Sequence, residues 1–192
     1  MNINEEIERN FHNDMKESER TFWRFLAPRY KECFVAFAYA RDLEIQLSGI
    51  DTIIHLYSGL SYTCDEKFMG FPKPANPPHK RYAIELLSCS IPGHKKDGWF
   101  ITGKADKWLF CYNTVDGLDC HLFDSAVLRN RFNILRKSGK KFSTFRMEWQ
   151  PNRSSGLLLP FDDVEDICTR WVWPFPEDYT FPTLAAPKPP TV

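Results

Sequence analysis

The chain has six cysteines but no Cys-x-x-Cys pair and no cysteine spaced with histidine as a zinc finger or ribbon requires. No apolar run approaches the ~20 residues that span a bilayer, so no membrane partner is expected. The first residues, MNINEEIERNF, are acidic and hold no apolar core segment, so a secretory signal is not expected either. Net charge is also missing: 25 Lys plus Arg balance 25 Asp plus Glu, which argues against a histone-like or polybasic membrane-binding chain. Cys64, Cys89 and Cys111 sit inside apolar stretches with the look of strands. Buried, reduced thiols in a cytoplasmic protein are the expectation.

What is present is a globular composition, with 43% hydrophobic and 15% aromatic residues in 192. That length suits one domain whose core needs no disulfide. The domain is expected over 1–173, followed by a tail over 174–192 that holds six prolines. Asn4 before Glu5 and Glu6 predicts a helix start, and Ile7, Phe11, Met15, Phe22 and Leu26 recur at near-helical spacing up to Pro28. Residues 30–40 are apolar and ambiguous, with a second helix expected. The pattern from Glu44 to Lys67 is strand-like, followed by a Pro-rich loop at 72–78. Further strands are expected near 82–89, 107–112 and 157–159, and helices over 123–137, capped by Asp124 or Ser125, and over 161–173. The class is α/β, a mixed sheet flanked by helices.

The chemistry concentrates between Gly49 and Lys67. Two strands are separated by Tyr57-Ser58-Gly59, a three-residue loop whose third member suits a left-handed conformation. Such a loop pairs Leu56 with Leu60 and so brings Asp51 opposite Asp65, with Cβ atoms ~5 Å apart. Lys67 shares the face of Asp65, and Glu66 points to the other. Opposed carboxylates repel unless a positive charge lies between them. A divalent cation with hard oxygen ligands, Mg²⁺ or Mn²⁺, would supply it, and a lysine beside it could orient or activate an attacking water. The bland alternative is a surface hairpin in which Lys67 neutralises two exposed acids, but Ile53 shares the Asp51 face and argues for partial burial.

Asp51 followed by Asp65-Glu66-Lys67 resembles the active-site signature of the PD-(D/E)xK nuclease superfamily. Ile50 stands where that motif has proline. Tyr82-Ala83-Ile84-Glu85-Leu86, Gly98-Trp99-Phe100 and Lys104-Ala105-Asp106 are also similar to phage and bacterial members, so the likeness covers about 44–112. The resemblance implies a restriction-endonuclease-like αβββαβ core and Mg²⁺-dependent cleavage of DNA, with an endonuclease expected. It also implies metal binding by Asp51 and Asp65, with Lys67 acting on the water. Asp-x-Lys alone is weak, since Asp14-Met15-Lys16 matches it inside an expected helix. A non-catalytic nucleic-acid- or protein-binding protein on the same scaffold is the alternative.

Other residues carry less. Glu85, in an apolar strand, needs a partner: a shared metal, Arg81 or a nearby lysine. His55 alternates onto the Asp51 side, where a rim histidine is the simpler reading. Gly98-x4-Gly103-Lys104 nearly matches a nucleotide-phosphate loop, but Ala105 lacks the required hydroxyl and Trp99, Phe100 and Ile101 are too bulky. Lys104 remains a candidate for a DNA phosphate. Arg129, Arg131, Arg136, Lys137, Lys140, Lys141 and Arg146 form a basic run without an acid and would suit phosphate contacts. The zero net charge is therefore a cancellation, because residues 1–20 and 161–180 are acidic and residues 21–160 carry +7. Trp171, Trp173, Phe175, Tyr179 and Phe181 should dock on the domain or on a protein partner through the tail. A homodimer is left open.

Overall fold

Apolar residues at both parities of 107–113 and 118–124 mark strands covered on both faces. They lie in the larger of two sheets in a computed structural model that describes residues 36–40, 42, 44–45, 48–69, 81–90, 93–114, 116–147 and 153–174. The strands of that sheet are β1 (Ala36–Tyr39), β2 (Thr52–His55), β3 (Ser61–Met69), β6 (Lys107–Asn113), β7 (Leu118–Asp124) and β10 (Thr169–Trp173), in the spatial order β1-β2-β3-β6-β7-β10. The smaller sheet runs β5-β4-β9-β8, from β4 (Arg81–Cys89), β5 (Lys96–Asp97), β8 (Ser143–Arg146) and β9 (Ser155–Pro160). A one-turn helix α1 (Trp99–Thr102) precedes β6, and α2 (Ser125–Lys137) follows β7. The chain is α/β with mixed sheets: β3 pairs with β6 in parallel, while its pairing with β2 and the β6–β7 pairing are antiparallel.

Two apolar clusters hold the layers. Tyr82 and Ile84 of β4, Leu159 of β9, Trp108, Phe110 and Tyr112 of β6, and Leu128 and Phe132 of α2 form the main core. On the opposite face of the large sheet, Ile54, Cys64, Leu109, Cys111, Leu118 and Cys120 form the second. Among the described residues every cysteine is a free thiol, and all but Cys168 are buried, including the three expected in strands.

Several expectations change. The helix expected over 30–40 gives way, in its described part, to β1, which pairs with β2 from Ala36↔His55 to Tyr39↔Thr52. A four-residue Ala-Phe-Ala-Tyr run fits either period, and the open edge of β2 decides for strand. The helix over 161–173 is absent: two 3-10 turns, Phe161–Asp163 and Glu165–Ile167, lead into β10, which pairs with β7. Its Thr-Arg-Trp-Val-Trp sequence is β-branched and aromatic, which fits a pleated edge better than a helix. Phe123 belongs to β7, and α2 begins at Ser125, where Asp124 accepts from the backbone N–H groups of Ala126 and Val127, each at 3.1 Å. The helix expected at 4–26, the loop at 72–78 and most of the tail lie outside the described residues. Within β10, Trp171 and Trp173 dock on the domain itself, packed against the second cluster.

A polar chain links β4 of the smaller sheet to β7 and β10 of the larger. Tyr82 Oη meets His121 Nδ1 at 2.7 Å, His121 Nε2 meets Asp119 Oδ1 at 3.0 Å, and Arg170 grips Asp119 at 2.9 and 2.7 Å. Burial drives the His121 pKa down to about 4, against the pull of Asp119. The unfolded chain therefore binds one more proton than the folded one between about pH 4 and pH 6.5, and this histidine's stabilising share is lost as pH falls through that window. At full effect the loss is roughly 3 kcal/mol. Urea unfolding at stepped pH should show His121→Gln gaining stability relative to the parent as pH falls from 6.5 to about 4.

Candidate active site

The β2–β3 loop behaves as its length and glycine require. Leu56 N–H donates to the Leu60 carbonyl at 2.8 Å, and Gly59 takes φ +81°. The resulting ladder pairs His55↔Ser61, Ile54↔Tyr62, Ile53↔Thr63 and Thr52↔Cys64. Asp51 lies just past its end: its N–H donates to the Cys64 carbonyl at 2.8 Å, and its Oδ2 accepts from Glu66 N–H at 2.8 Å. The side-chain alternation of β3 sends Cys64 and Glu66 to one face, where Glu66 accepts from Thr52 Oγ1 at 2.5 Å. Asp65 and Lys67 go to the other face, beside their β6 neighbours Trp108 and Phe110.

Asp65 is only 1% exposed, and neither of its carboxylate oxygens has a hydrogen-bond partner of good geometry. The Lys67 ammonium is in an ion pair with it, 2.6 Å from Oδ1, and the Asp51 carboxylate adjoins it. Burial, reinforced by the adjoining Asp65 charge, pushes the Asp51 pKa up to about 7, even though Lys67 and the Glu66 N–H pull the other way. Burial works against the Lys67 charge as well, yet Asp65, Asp51 and Glu85 outweigh it and leave its pKa above the ordinary lysine value. Glu85 of β4 joins from the second sheet: burial raises its pKa, and Lys67, the Trp99 N–H and the Ser154 hydroxyl partly offset the rise. Of the partners weighed for Glu85, the nearby lysine is the one beside it. Arg81 is exposed at the start of β4.

Backbone packing positions these groups. Gly49 takes φ +74°, and a Cβ there would lie 3.2 Å from Gly103 Cα and 3.6 Å from Asp65 Oδ2, so glycine before Ile50-Asp51 is a requirement of space and conformation. Lys104 N–H donates to the Ser48 carbonyl at 2.8 Å, tying the Asp51 loop to the end of α1.

The proposed phosphate-binding residues divide into two groups. Arg129 is turned inward: it donates from Nε to the Phe100 carbonyl at 2.9 Å and from Nη2 to the Gly103 carbonyl, and it stacks 4.5 Å from the Trp108 ring centroid. Arg131 pairs with Asp166 at 2.5 Å, and Lys140 with Asp163 at 2.6 Å, so acids of the 3-10 turns already occupy part of the basic run. Lys104, Arg136, Lys137 and Lys141 are exposed. Residue spacing could not disclose the acid partners, which come from a non-local segment. His55 is an exposed rim residue, bonded to Ser61 Oγ at 2.6 Å. Sequence reasoning also passed over Trp99, whose ring lies beside Lys67. A bulky aromatic between two glycines was the available sign.

The arrangement can hold a hard cation. A half-buried and a buried carboxylate adjoin, the buried one without a well-formed hydrogen bond, which is an unfavourable state that a bound positive charge would relieve. No group of three His, Cys, Asp or Glu side chains among the described residues forms a ready-made metal cage. A two-carboxylate site completed by water and phosphate is the kind that suits Mg²⁺. Compared with family models, curated proteins and solved structures, the chain gives no match in any of the three.

Proposed function

We propose that the chain is a metal-dependent nuclease that hydrolyses phosphodiester bonds of DNA, of the PD-(D/E)xK kind, with a restriction-endonuclease-like core. One observation carries the reading: the half-buried Asp51 carboxylate adjoins the buried Asp65, and Lys67 is in an ion pair with Asp65. The antiparallel β2–β3 hairpin and the parallel neighbour β6 support the core assignment.

Asp51 and Asp65 would hold Mg²⁺ or Mn²⁺, which when bound supplies Lewis-acid polarisation of phosphate and a more acidic water. Lys67, kept protonated by three acids, serves as a hydrogen-bond donor and positive charge toward the water or the phosphate oxygens, rather than as a resting base. Glu85 steadies Lys67 from the second sheet. The exposed Lys104, Arg136, Lys137 and Lys141 would meet the phosphate backbone, making affinity fall with salt.

Incubation of the protein with supercoiled plasmid and Mg²⁺ or Mn²⁺ should produce nicked circles, and excess chelator should abolish them. Binding of duplex, single-stranded and branched DNA without cleavage of any would replace the nuclease reading with the binding scaffold.

A further inference from the structure

We propose that Trp99 is a positioning residue for Lys67: its ring keeps the lysine ammonium inside the site. The proposal rests on the nuclease reading. Lys67 Nζ lies 5.0 Å from the Trp99 ring centroid and 2.6 Å from Asp65 Oδ1. A cation at that distance from an indole face is attracted by the ring quadrupole. Lysine otherwise has a flexible four-carbon stem, and 24% of the Lys67 side chain is open to solvent. One Asp65 oxygen cannot serve both the ammonium and another cation at full strength. The Trp99 face, beside the charge of Glu85, still holds Lys67 when Asp65 is engaged elsewhere.

Trp99 is half-buried and held by several neighbours. Gly98 N–H donates to the Leu86 carbonyl at 2.8 Å, and a Cβ on Gly98 would fall 2.5 Å from the Glu85 carbonyl oxygen. Gly103 N–H closes the turn on the Trp99 carbonyl at 2.7 Å, and a Cβ there would fall 2.6 Å from the same oxygen. Arg129 then clamps the carbonyls of Phe100 and Gly103. The Trp99 ring packs edge-on to Trp108 at 5.1 Å, and Trp108 is the register partner of Asp65. The Trp99 N–H meanwhile donates to the Glu85 carboxylate. A single turn thus fixes one ring relative to Lys67, Asp65 and Glu85 together.

Trp99→Leu removes the ring, and Trp99→Phe restores an aromatic face. In NMR spectra of the metal-free protein, the Lys67 Hε resonances, assigned by comparison with Lys67→Arg, should be shifted upfield by the ring current. The shift should vanish in Trp99→Leu and largely return in Trp99→Phe. In plasmid nicking with Mg²⁺, kcat should fall about tenfold to a hundredfold in Trp99→Leu, with KM little changed, and recover in Trp99→Phe. Thermal melting identifies any variant that fails to fold, and Trp99→Phe then carries the comparison with the parent. An unshifted Lys67 Hε in the parent overturns the proposal, as does a folded Trp99→Leu with full kcat. A parent with the upfield shift but no cleavage of any DNA would remove the nuclease reading and the positioning role with it, leaving the ring contact as packing.

Discussion

Lys67→Ala should lower metal-dependent nicking by on the order of a thousandfold while leaving DNA affinity within a few-fold of the parent. The expectation follows from where the ammonium sits. It is paired with a carboxylate that is 1% exposed, and three acids keep it charged. Its charge is available in a site largely closed to water, where it counts for more than at the surface. The exposed lysines and arginine that would bind DNA stay in place, so loss of Lys67 should appear in kcat more than in binding. Single-turnover nicking beside a fluorescence-anisotropy titration makes the comparison. Nicking that survives Lys67→Ala at the parent rate would assign the cleavage to another site or to a contaminant.

Asp51→Asn should do the reverse to stability and make the metal-free protein more stable. The Asp51 pKa is pushed up to about 7, so between pH 3.8 and pH 7 the folded chain holds a proton that the unfolded chain has released. For this acid, stability falls as pH rises through that window, and above it the ionised pair with Asp65 is carried at full cost. Asparagine can still accept the Glu66 N–H and has no charge to bury. The gain should be about 2–4 kcal/mol above pH 7, or roughly 5–15 °C in Tm for a domain of this size. His121 has the opposite slope over nearly the same range, because burial drives its pKa down to about 4. The two offset each other in the parent, whose stability should be nearly level from pH 4 to pH 7. Asp51→Asn should expose the histidine slope and become acid-sensitive. Mg²⁺ should raise the melting point of the parent and not that of the variant, since only the parent keeps both carboxylates. Chemical denaturation at pH 5 and pH 8, with and without Mg²⁺, tests all of this in one grid.

The hairpin was legible because its determinants are local. A three-residue loop ending in glycine sets the pairing of Leu56 with Leu60, and the two-residue side-chain period then sorts Asp65 and Lys67 from Glu66. The Asp124 cap and the buried strand cysteines were legible for the same reason. Glu85 was only half legible: its strand was clear, but its partner depends on how the second sheet packs against the first. The acids at 162–166 interrupt any apolar helical stripe, yet the aromatic residues that follow hid the turn from helix to edge strand. Arg129 and Arg131 counted as free cations in a linear reading. Their partners are the end of α1 and the 3-10 acids, at separations of 26 to 35 residues, which no local rule reaches.

The parallel pairing of β3 with β6 has a consequence for how the molecule comes to exist. Thr63 bonds Asp106, 43 positions further along the sequence, and the contact forms only after the whole crossover is laid down. An isolated 51–67 hairpin could hold its register without burying any acid, so Asp51 would titrate there like an ordinary side chain. The closing of that long loop, slow on the scale of a hairpin, is what turns two unremarkable aspartates into a strained pair. In refolding, the unusual ionisation of Asp51 should therefore be among the last properties to appear.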